Sequence, residues 1–295
     1  MTIDIGRIGI WCGVFDAHPT SVVQQACREL EQLGFATVWL PEAVGRDPFV
    51  AASTCLAATS TLRLATGIAN IYARDPMTMV AGQRTLAEAF PGRFLLGLGV
   101  SHQHLVERLR KHDYSKPLTH MRDYLDAMDG AMFAAVGPAE DPGRVLAALG
   151  PKMLALAADQ ASGAHPYFTT PDHTARARQI MGADALLAPE QMVVLETDPE
   201  AARTVARAGM AIYLRAPNYL NNLRSLGFDD RDWADHTRPS DRLVDAIVAW
   251  GSAEQIAARV TEHLDAGADH VCVQVLRADS ALPTAEWREL ASVLV

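Results

Sequence analysis

Two side chains in this sequence could carry a proton at the end of a predicted strand. His102 follows the glycine-containing segment 97–101, and Glu42 follows the apolar residues 39–41. An imidazole titrates close to neutral pH, so it can donate or accept a proton. A carboxylate behind an apolar run is expected to be partly buried, where it could do the same. Each also has a structural alternative: His102 could be exposed, and Glu42 could pair with Arg46.

Two glycine-containing turns are placed where they could hold an anionic group. Gly99, Val100 and Ser101 lead from a predicted strand into a predicted helix, and Gly150 stands at the same point after the next strand. Backbone N–H groups at the start of a helix can approach and bind a phosphate. A glycine at a strand end is common, so an ordinary turn stays the alternative for each. Two such turns on adjacent strands favour a phosphate site.

The motifs of several other kinds of site are missing from the sequence. It has no GxSxG elbow, no HExxH, no CxxC and no P-loop. Its four cysteines lie far apart, which argues against a zinc site and for buried free thiols. We therefore predict no metal. A bound organic cofactor fits better than hydrolysis, because the protein then needs few catalytic side chains.

Short apolar runs alternate with amphipathic stretches along the whole chain. This alternation predicts eight strands, with most of the early ones apolar on both faces, as in parallel sheets covered by helices. Eight strand–helix units predict an α/β fold, a (β/α)8 TIM barrel, with helical insertions after strands 4 and 7 and one domain over residues 1–295. In this fold the active site lies at the loops after the strands, where the candidate residues fall. The predicted strands are 7–12, 37–40, 62–68, 93–98, 144–149, 163–168, 191–196 and 270–276.

Composition excludes several classes of protein. The 295 residues carry a net charge of −9 and no run of Lys or Arg, so we do not expect binding to nucleic acid. No window approaches the roughly 20 uncharged apolar residues of a membrane span. The first residues do not form a signal peptide, so we expect a cytoplasmic protein.

Several segments, taken together at this spacing, are shared with one family. The run LATGIAN at 64–70 and the block FPGRFLLGLGVSH at 90–102 are the most specific, supported by 34–42, 74–76, 114–117 and 121–125. On these segments the sequence resembles the luciferase-like oxidoreductases, of the actinobacterial kind that depends on the deazaflavin coenzyme F420. The resemblance covers nearly the whole chain.

The resemblance implies roles for particular residues. Members that bind the deazaflavin have a non-prolyl cis peptide at the end of strand 3, which matches Gly67–Ile68 and backs the cofactor ring. Asn70 matches a polar position that contacts the ring. His102 falls where some relatives place an active-site acid. The loops that hold the cofactor's phosphate are matched by Gly99, Val100, Ser101 and Gly150.

The implied activity is hydride transfer between coenzyme F420 and a small organic substrate. Relatives that oxidise sugar phosphates have an Asp-His pair after strand 2, where this chain has Pro41 and Glu42, so a sugar phosphate is not expected. Aromatic residues near the strand ends favour a less polar molecule: Trp11, Phe15, Trp39, Tyr167 and Phe168.

Two other functions stay open at this point. One is an FMN-dependent monooxygenase on the same barrel, and the other is a flavin- or deazaflavin-binding barrel without turnover. Barrels of this family are often homodimers, and the predicted helix 48–59, rich in small residues, would suit contact with a second copy.

Overall fold

All paired strands in the computed structural model, which describes residues 4–295, are parallel. They form one sheet in the order β10-β9-β11-β1-β2-β3-β5-β6-β7-β8, with β4 paired to β5. The strands are β1 (Ile8–Trp11), β2 (Thr37–Leu40), β3 (Arg63–Thr66), β4 (Ala69–Asn70), β5 (Phe94–Gly99), β6 (Arg144–Leu146), β7 (Gly163–Ala164), β8 (Leu186–Leu187), β9 (Glu190–Val194), β10 (Val248–Trp250) and β11 (Val271–Val275).

Strands β8 and β9 are two parts of one extended segment, and this segment closes the sheet. On the side of β7, the Glu190 N–H donates to the Pro166 carbonyl at 2.9 Å. On the side of β11, the Cys272 N–H donates to the Pro189 carbonyl at 3.0 Å. The segment therefore has hydrogen bonds to both ends of the sheet. The predicted (β/α)8 barrel is confirmed.

Helices follow the strands, and proline marks where most of them begin. Each of α2 to α8 has a proline in its first turn, where the missing N–H has no acceptor within the helix. None of the helices between residues 4 and 295 is both long and apolar enough to cross a bilayer. The helices are α1 (Thr20–Gln32), α2 (Pro48–Ala57), α3 (Pro76–Ala89), α4 (Pro117–Asp129), α5 (Pro151–Gln160), α6 (Pro171–Met181), α7 (Pro199–Met210), α8 (Pro217–Ser225), α9 (Asp241–Ile247), α10 (Ala253–Asp265) and α11 (Thr284–Leu294).

The two longest connections follow β5 and β9. The first contains a π-helical turn at Leu105–Leu109 and α4. The second contains α7, a 3-10 turn at Tyr213–Arg215, α8, α9 and β10. Helix α9 ends at Ile247, and residues 248–250 extend as β10 beside β9, which suits the β-branched and aromatic side chains there.

Three strands have an end that lies three or more residues from its predicted position. β6 and β7 end early, because the chain turns into α5 after the first and Pro166 removes a ladder donor after the second. The extended segment of β8 and β9 begins at Leu186, before the predicted start at 191. Pro189 interrupts that segment, so its first part does not look like a strand in the sequence.

The apolar core has a part inside the barrel and a larger part outside it. The large outer cluster lies between the strands and the helices. All four cysteines are buried and unbridged, as predicted. We call the inner cluster the lumen: Ile5, Trp11, Trp39, Ala65, Leu95, Val145, Leu186, Ala188 and Cys272.

Candidate active site

The ends of β3, β5 and β6 present backbone and small side chains at the barrel mouth. The cis peptide predicted at Gly67–Ile68 is present, directly after β3. A Cβ added to Gly99 would lie 2.3 Å from Cδ1 of Ile68 and 3.3 Å from Cβ of Ala147. The Ile68 side chain therefore occupies the space that only a glycine leaves open. We call this region the glycine side of the mouth (Gly67, Gly97, Gly99 and Ala147).

Thr66 and Gly97 hold β3 against β5 next to the cis peptide. The Thr66 hydroxyl donates to the Gly97 carbonyl at 2.7 Å, and the Gly97 N–H donates back to that hydroxyl at 2.8 Å. A Cβ on Gly97 would lie 2.0 Å from the Thr66 carbonyl oxygen. Any larger residue at 97 must therefore move backbone, not only a side chain.

Asn70 is buried on this side, opposite Gly99 in the register of β4 and β5. Its Oδ1 accepts the Tyr72 N–H at 2.9 Å, and its own backbone N–H donates to Glu42 at 2.7 Å. With the side-chain oxygen used in this way, the Nδ2 amide is the polar group that Asn70 could offer to a ligand.

Glu42 forms a bidentate ion pair with an arginine. Both carboxylate oxygens accept from Arg74 at 2.8 Å, and the two side chains are only 7% and 9% exposed. Arg110 lies 3.8 Å from the same carboxylate. Together with the Asn70 N–H, these contacts make Glu42 an anchor for the loop after β3. A proton-transfer role for Glu42 stays a prediction.

Arg46, the partner considered for Glu42 in the sequence, is engaged elsewhere. It donates to the carbonyls of Phe15 and His18, and it lies 4.0 Å from Asp16. A cavity of about 360 Å³ lies between this loop, Arg74 and the π-helical turn at Leu105–Leu109. That volume is in the range of pockets that bind small molecules.

The loop after β5 places His102 at the rim of the mouth. Ser101 has a left-handed backbone (φ 56°), and its carbonyl accepts the Tyr114 hydroxyl at 3.1 Å. The His102 ring lies 5.6 Å from the Tyr219 ring, and its Nδ1 is buried without a hydrogen-bond partner among residues 4–295. Burial, assisted by nearby His104, lowers the pKa of His102, so the neutral imidazole prevails at pH 7.

His102 and His104 do not point apart, as expected for two positions on a helix. Their rings are nearly parallel, with centroids 5.9 Å apart. That expectation was wrong because His102 precedes the helical turn and is not part of it.

Gly150 caps α5 on the strand next to this loop. Its carbonyl accepts the N–H groups of Met153 and Leu154, and no side chain caps the helix. A Cβ at this position would have no heavy atom within 4 Å. The helix start therefore has room for an anionic group, and it lies on the strand next to the turn at Gly99, Val100 and Ser101.

The opposite side of the mouth is filled with aromatic rings. Tyr167 lies 5.0 Å from the Trp11 ring, its hydroxyl donates to Gln274 at 2.7 Å, and a second 2.7 Å hydrogen bond joins it to the Tyr213 hydroxyl. Phe168 and Tyr219 complete the cluster. We call this region the aromatic side (Trp11, Tyr167, Tyr213 and Tyr219).

The other aromatic residues predicted near the mouth lie elsewhere. Trp39 is deep in the lumen, stacked on His165 with ring centroids 4.2 Å apart. Phe15 contacts Trp287 in the outer core. Tyr213 and Tyr219, which replace them at the mouth, come from the connection after β9 and carry no local motif.

Two unused polar atoms flank the cis peptide. A Cβ on Gly67 would lie 2.6 Å from Nε1 of Trp11 and 3.3 Å from Nε2 of His165. Both nitrogens are buried and have no hydrogen-bond partner in the described part of the chain. Nδ1 of His165 donates to the Ala188 carbonyl at 2.7 Å, so Nε2 is an acceptor beside the Trp11 donor. A flat polar ring lying against Gly67 could use both.

Residues 13–270 match the family model of the luciferase-like monooxygenases. This chain belongs to that family. The segments around Gly67 and Gly99, which carry the resemblance to this family, form the glycine side of the luciferase-like barrel.

Known proteins resemble the chain both in sequence and in structure. A Mycobacterium tuberculosis protein, provisionally named a coenzyme F420-dependent oxidoreductase, is 29% identical over 56% of this chain, and the match spans little more than half of that protein, 56%. The 5,10-methylenetetrahydromethanopterin reductase of Methanolobus tindarius is 25% identical over 86% of this chain and 90% of its own. The structure of an F420-dependent secondary alcohol dehydrogenase, 13% identical, superposes with a TM-score of 0.79 over 97% of both chains.

Proposed function

We propose that this luciferase-like protein is an oxidoreductase that transfers a hydride between coenzyme F420 and a small organic substrate. The observation that carries the proposal is the pair of unpartnered buried nitrogens, Trp11 Nε1 and His165 Nε2, beside Gly67, where the Ile68 side chain packs on Gly99. Relatives named for F420 support the choice of cofactor.

The residues at the mouth fit a deazaflavin in their chemistry. Gly67 and Ile68 would back the ring, with Nε1 of Trp11 and the Asn70 amide as donors to its polar edge. When bound, the deazaflavin supplies a carbon that gives and accepts hydride. Backbone N–H groups around Gly99, Val100, Ser101 and Gly150 would hold its phosphate.

His102 is the residue we propose to exchange the proton that accompanies the hydride. Its neutral imidazole has a lone pair or an N–H available at an unpartnered Nδ1. Glu42 instead holds Arg74 and the Asn70 backbone in place. The aromatic side favours a substrate less polar than a sugar phosphate.

Titration with each cofactor tests this function. We expect coenzyme F420 to quench the fluorescence of Trp11 on binding, and FMN to bind far more weakly. FMN binding with oxygen consumption in the presence of a flavin reductase would instead identify the monooxygenase that the family name allows. Tight F420 binding without hydride transfer to any of a panel of ketones, imines and enones would favour a non-catalytic barrel.

We also propose that two copies associate through the starts of α2 and α3. Val50 and Met77 are 65% and 56% exposed there. The helices carry small residues that permit close approach of a second copy. Sedimentation should show a dimer that Val50→Asp weakens, whereas Val136→Asp, at an even more exposed apolar position in the loop after α4, should leave it intact. A monomer at micromolar concentration would exclude this assembly.

A further inference from the structure

β9 brings a carboxyl group into the barrel. Glu190 is in register with Cys272 of the lumen, so both side chains face inward. Glu190 is 1% exposed. Its Oε2 accepts the N–H of Phe168 at 3.2 Å, and Phe168 adopts a left-handed backbone (φ 57°) at that point. Its Oε1 is buried and has no hydrogen-bond partner within residues 4–295.

None of the cationic side chains in residues 4–295 pairs with this carboxyl group. The ionisable groups close enough to feel its charge are Tyr167 after β7, Tyr213 in the 3-10 turn, Tyr219 on α8 and Cys272 on β11. All four are neutral at pH 7, and none of the ion pairs formed by the described residues includes Glu190. A buried carboxylate without a counter-charge is costly, so the neutral acid is favoured. Burial accordingly raises the pKa of Glu190 to about 8.

The tyrosines of the aromatic side lie close to this acid as well as to the rim. The Tyr167 and Tyr213 hydroxyls share a hydrogen bond, and the Tyr219 ring contacts both the Tyr213 ring (5.4 Å) and the His102 ring (5.6 Å). Glu190 keeps a proton at neutral pH, whereas His102 does not take one. Two titratable groups whose environments act in opposite directions are typical of an acid and a base at one site.

We propose that Glu190 is a second proton-exchanging group of this protein, a neutral acid below the aromatic side, connected with the mouth through the Tyr167 and Tyr213 hydroxyls. The inference rests on the proposed hydride transfer. A hydride from the reduced deazaflavin that adds to the carbon of a C=O or C=N bond leaves negative charge on the heteroatom. The Glu190 O–H bond then breaks as the heteroatom gains the proton, and solvent returns a proton to the carboxylate. The reverse reaction uses the carboxylate as base.

The protonation state can be measured without cofactor or substrate. The infrared spectrum of the protein at pH 7 should contain the C=O band of a buried carboxylic acid, which Glu190→Gln removes and Glu196→Gln, an exposed carboxylate on the same segment, retains. The contribution of Glu190 to the free energy of unfolding is fully present below pH 4.5, the ordinary pKa of a glutamate. It is lost as the pH rises through about 8. The thermal midpoint of wild type should therefore fall from pH 5 to pH 9 relative to that of Glu190→Gln. Absence of the band at pH 7 would overturn the proposal.

Kinetics test the catalytic part. Glu190→Gln keeps an acceptor for the Phe168 N–H, so we expect unchanged F420 affinity with a roughly 100-fold lower kcat and the loss of one limb of the pH–rate profile. Tyr213→Phe keeps the ring and removes one hydroxyl of the connection, and it should lower kcat with the band intact. An unchanged kcat and pH profile in Tyr213→Phe, or in a folded Glu190→Gln, would refute the role. Failure of F420 to bind would refute the proposed function instead, and the infrared result would still stand.

Discussion

The glycine side and the aromatic side of the mouth are built from different materials. On the glycine side, backbone and the Ile68 side chain fill the space, and an added methyl group at Gly97 or Gly99 would overlap atoms at 2.0 and 2.3 Å. On the aromatic side, four rings pack together, two of their hydroxyls share a hydrogen bond, and a buried carboxyl group accepts the Phe168 N–H nearby. The glycine side therefore presents a closely packed surface of fixed shape, and the aromatic side presents groups that can exchange protons.

This difference indicates how two properties of the site, its close packing and its proton exchange, respond to substitution and to pH. The glycine positions on the glycine side tolerate no larger residue, because the interior is close-packed and an added side chain would displace the backbone. Proton exchange by buried groups depends on pKa values that desolvation shifts. Its rate therefore responds to pH and to single polar substitutions. The predictions below separate these two dependences.

Acid should have the largest effect, and it acts on the lumen below the aromatic side. His165 and His270 each donate from Nδ1 to a carbonyl, and burial lowers the pKa of each to about 4. The unfolded chain takes up protons below pH 6.5, while the folded chain does not until about pH 4. Stability is therefore lost as pH falls through this window, by about 3 kcal/mol for each histidine.

Urea unfolding at pH 7 and pH 5 measures this loss. The His165→Gln variant should lose less stability between the two pH values than wild type does. His112→Gln, at an exposed position, should behave as wild type. An equal loss in both variants would mean that the lumen histidines are not the cause.

Gly97→Ala should be the most damaging single substitution on the glycine side. The new methyl group would meet the Thr66 carbonyl, and the overlap should cost about 3 kcal/mol. Because Thr66 precedes the cis peptide, F420 affinity should fall as well. Gly150→Ser is the control, since its site is open and serine is a good N-cap, and its stability should stay within about 0.5 kcal/mol of wild type. Equal stability of the two variants would contradict the packing argument.

Much of the glycine side could be predicted from the sequence, because its constraints are local. The cis peptide and the turn at Gly99 lie within short segments, and the barrel follows from the strand–helix alternation. The aromatic side could not be predicted in this way. Tyr213 and Tyr219 reach the mouth only through the path of the connection after β9. Pro189 interrupts the sequence pattern of the strand that begins at Leu186, so this start cannot be recognised from the sequence. Recognising it would have placed Leu186, Ala188 and Glu190 on the same, inward face of the strand.

The ion-pair partner of Glu42 also could not be predicted from the sequence. Glu42 had Arg46 four residues away, yet the loop after β3 brings Arg74 to it instead. Sequence separation favours near partners, whereas the barrel places the ends of adjacent strands side by side. His102 and His104 lie together for another reason, because His102 precedes the helical turn that contains His104.

Glu42→Gln tests whether this rim residue is an anchor or a proton carrier. Loss of one charge leaves the buried Arg74 with only the half-exposed Asp47, 3.0 Å away, as an ion-pair partner, which should cost about 2 kcal/mol. The bidentate pair of Asp129 and Arg144 has similar distances but an exposed carboxylate, so Asp129→Asn should cost less than about 1 kcal/mol. Chemical unfolding compares the two. An anchor loses stability and F420 affinity together; a proton carrier would lose kcat at unchanged stability.

His102→Gln should have the smallest effect on the fold and a clear one on the reaction. The ring has no hydrogen bond at Nδ1, so stability should change by less than about 1 kcal/mol, whereas kcat should fall roughly 100-fold. His104→Gln, which removes the neighbouring exposed ring, should keep kcat. Because burial lowers the pKa of His102, the wild-type rate should decline only below pH 6.5, and this decline should vanish in the Gln variant. If kcat survives in His102→Gln but not in Glu190→Gln, proton exchange belongs to the aromatic side alone, and the loop after β5 serves only to bind the cofactor.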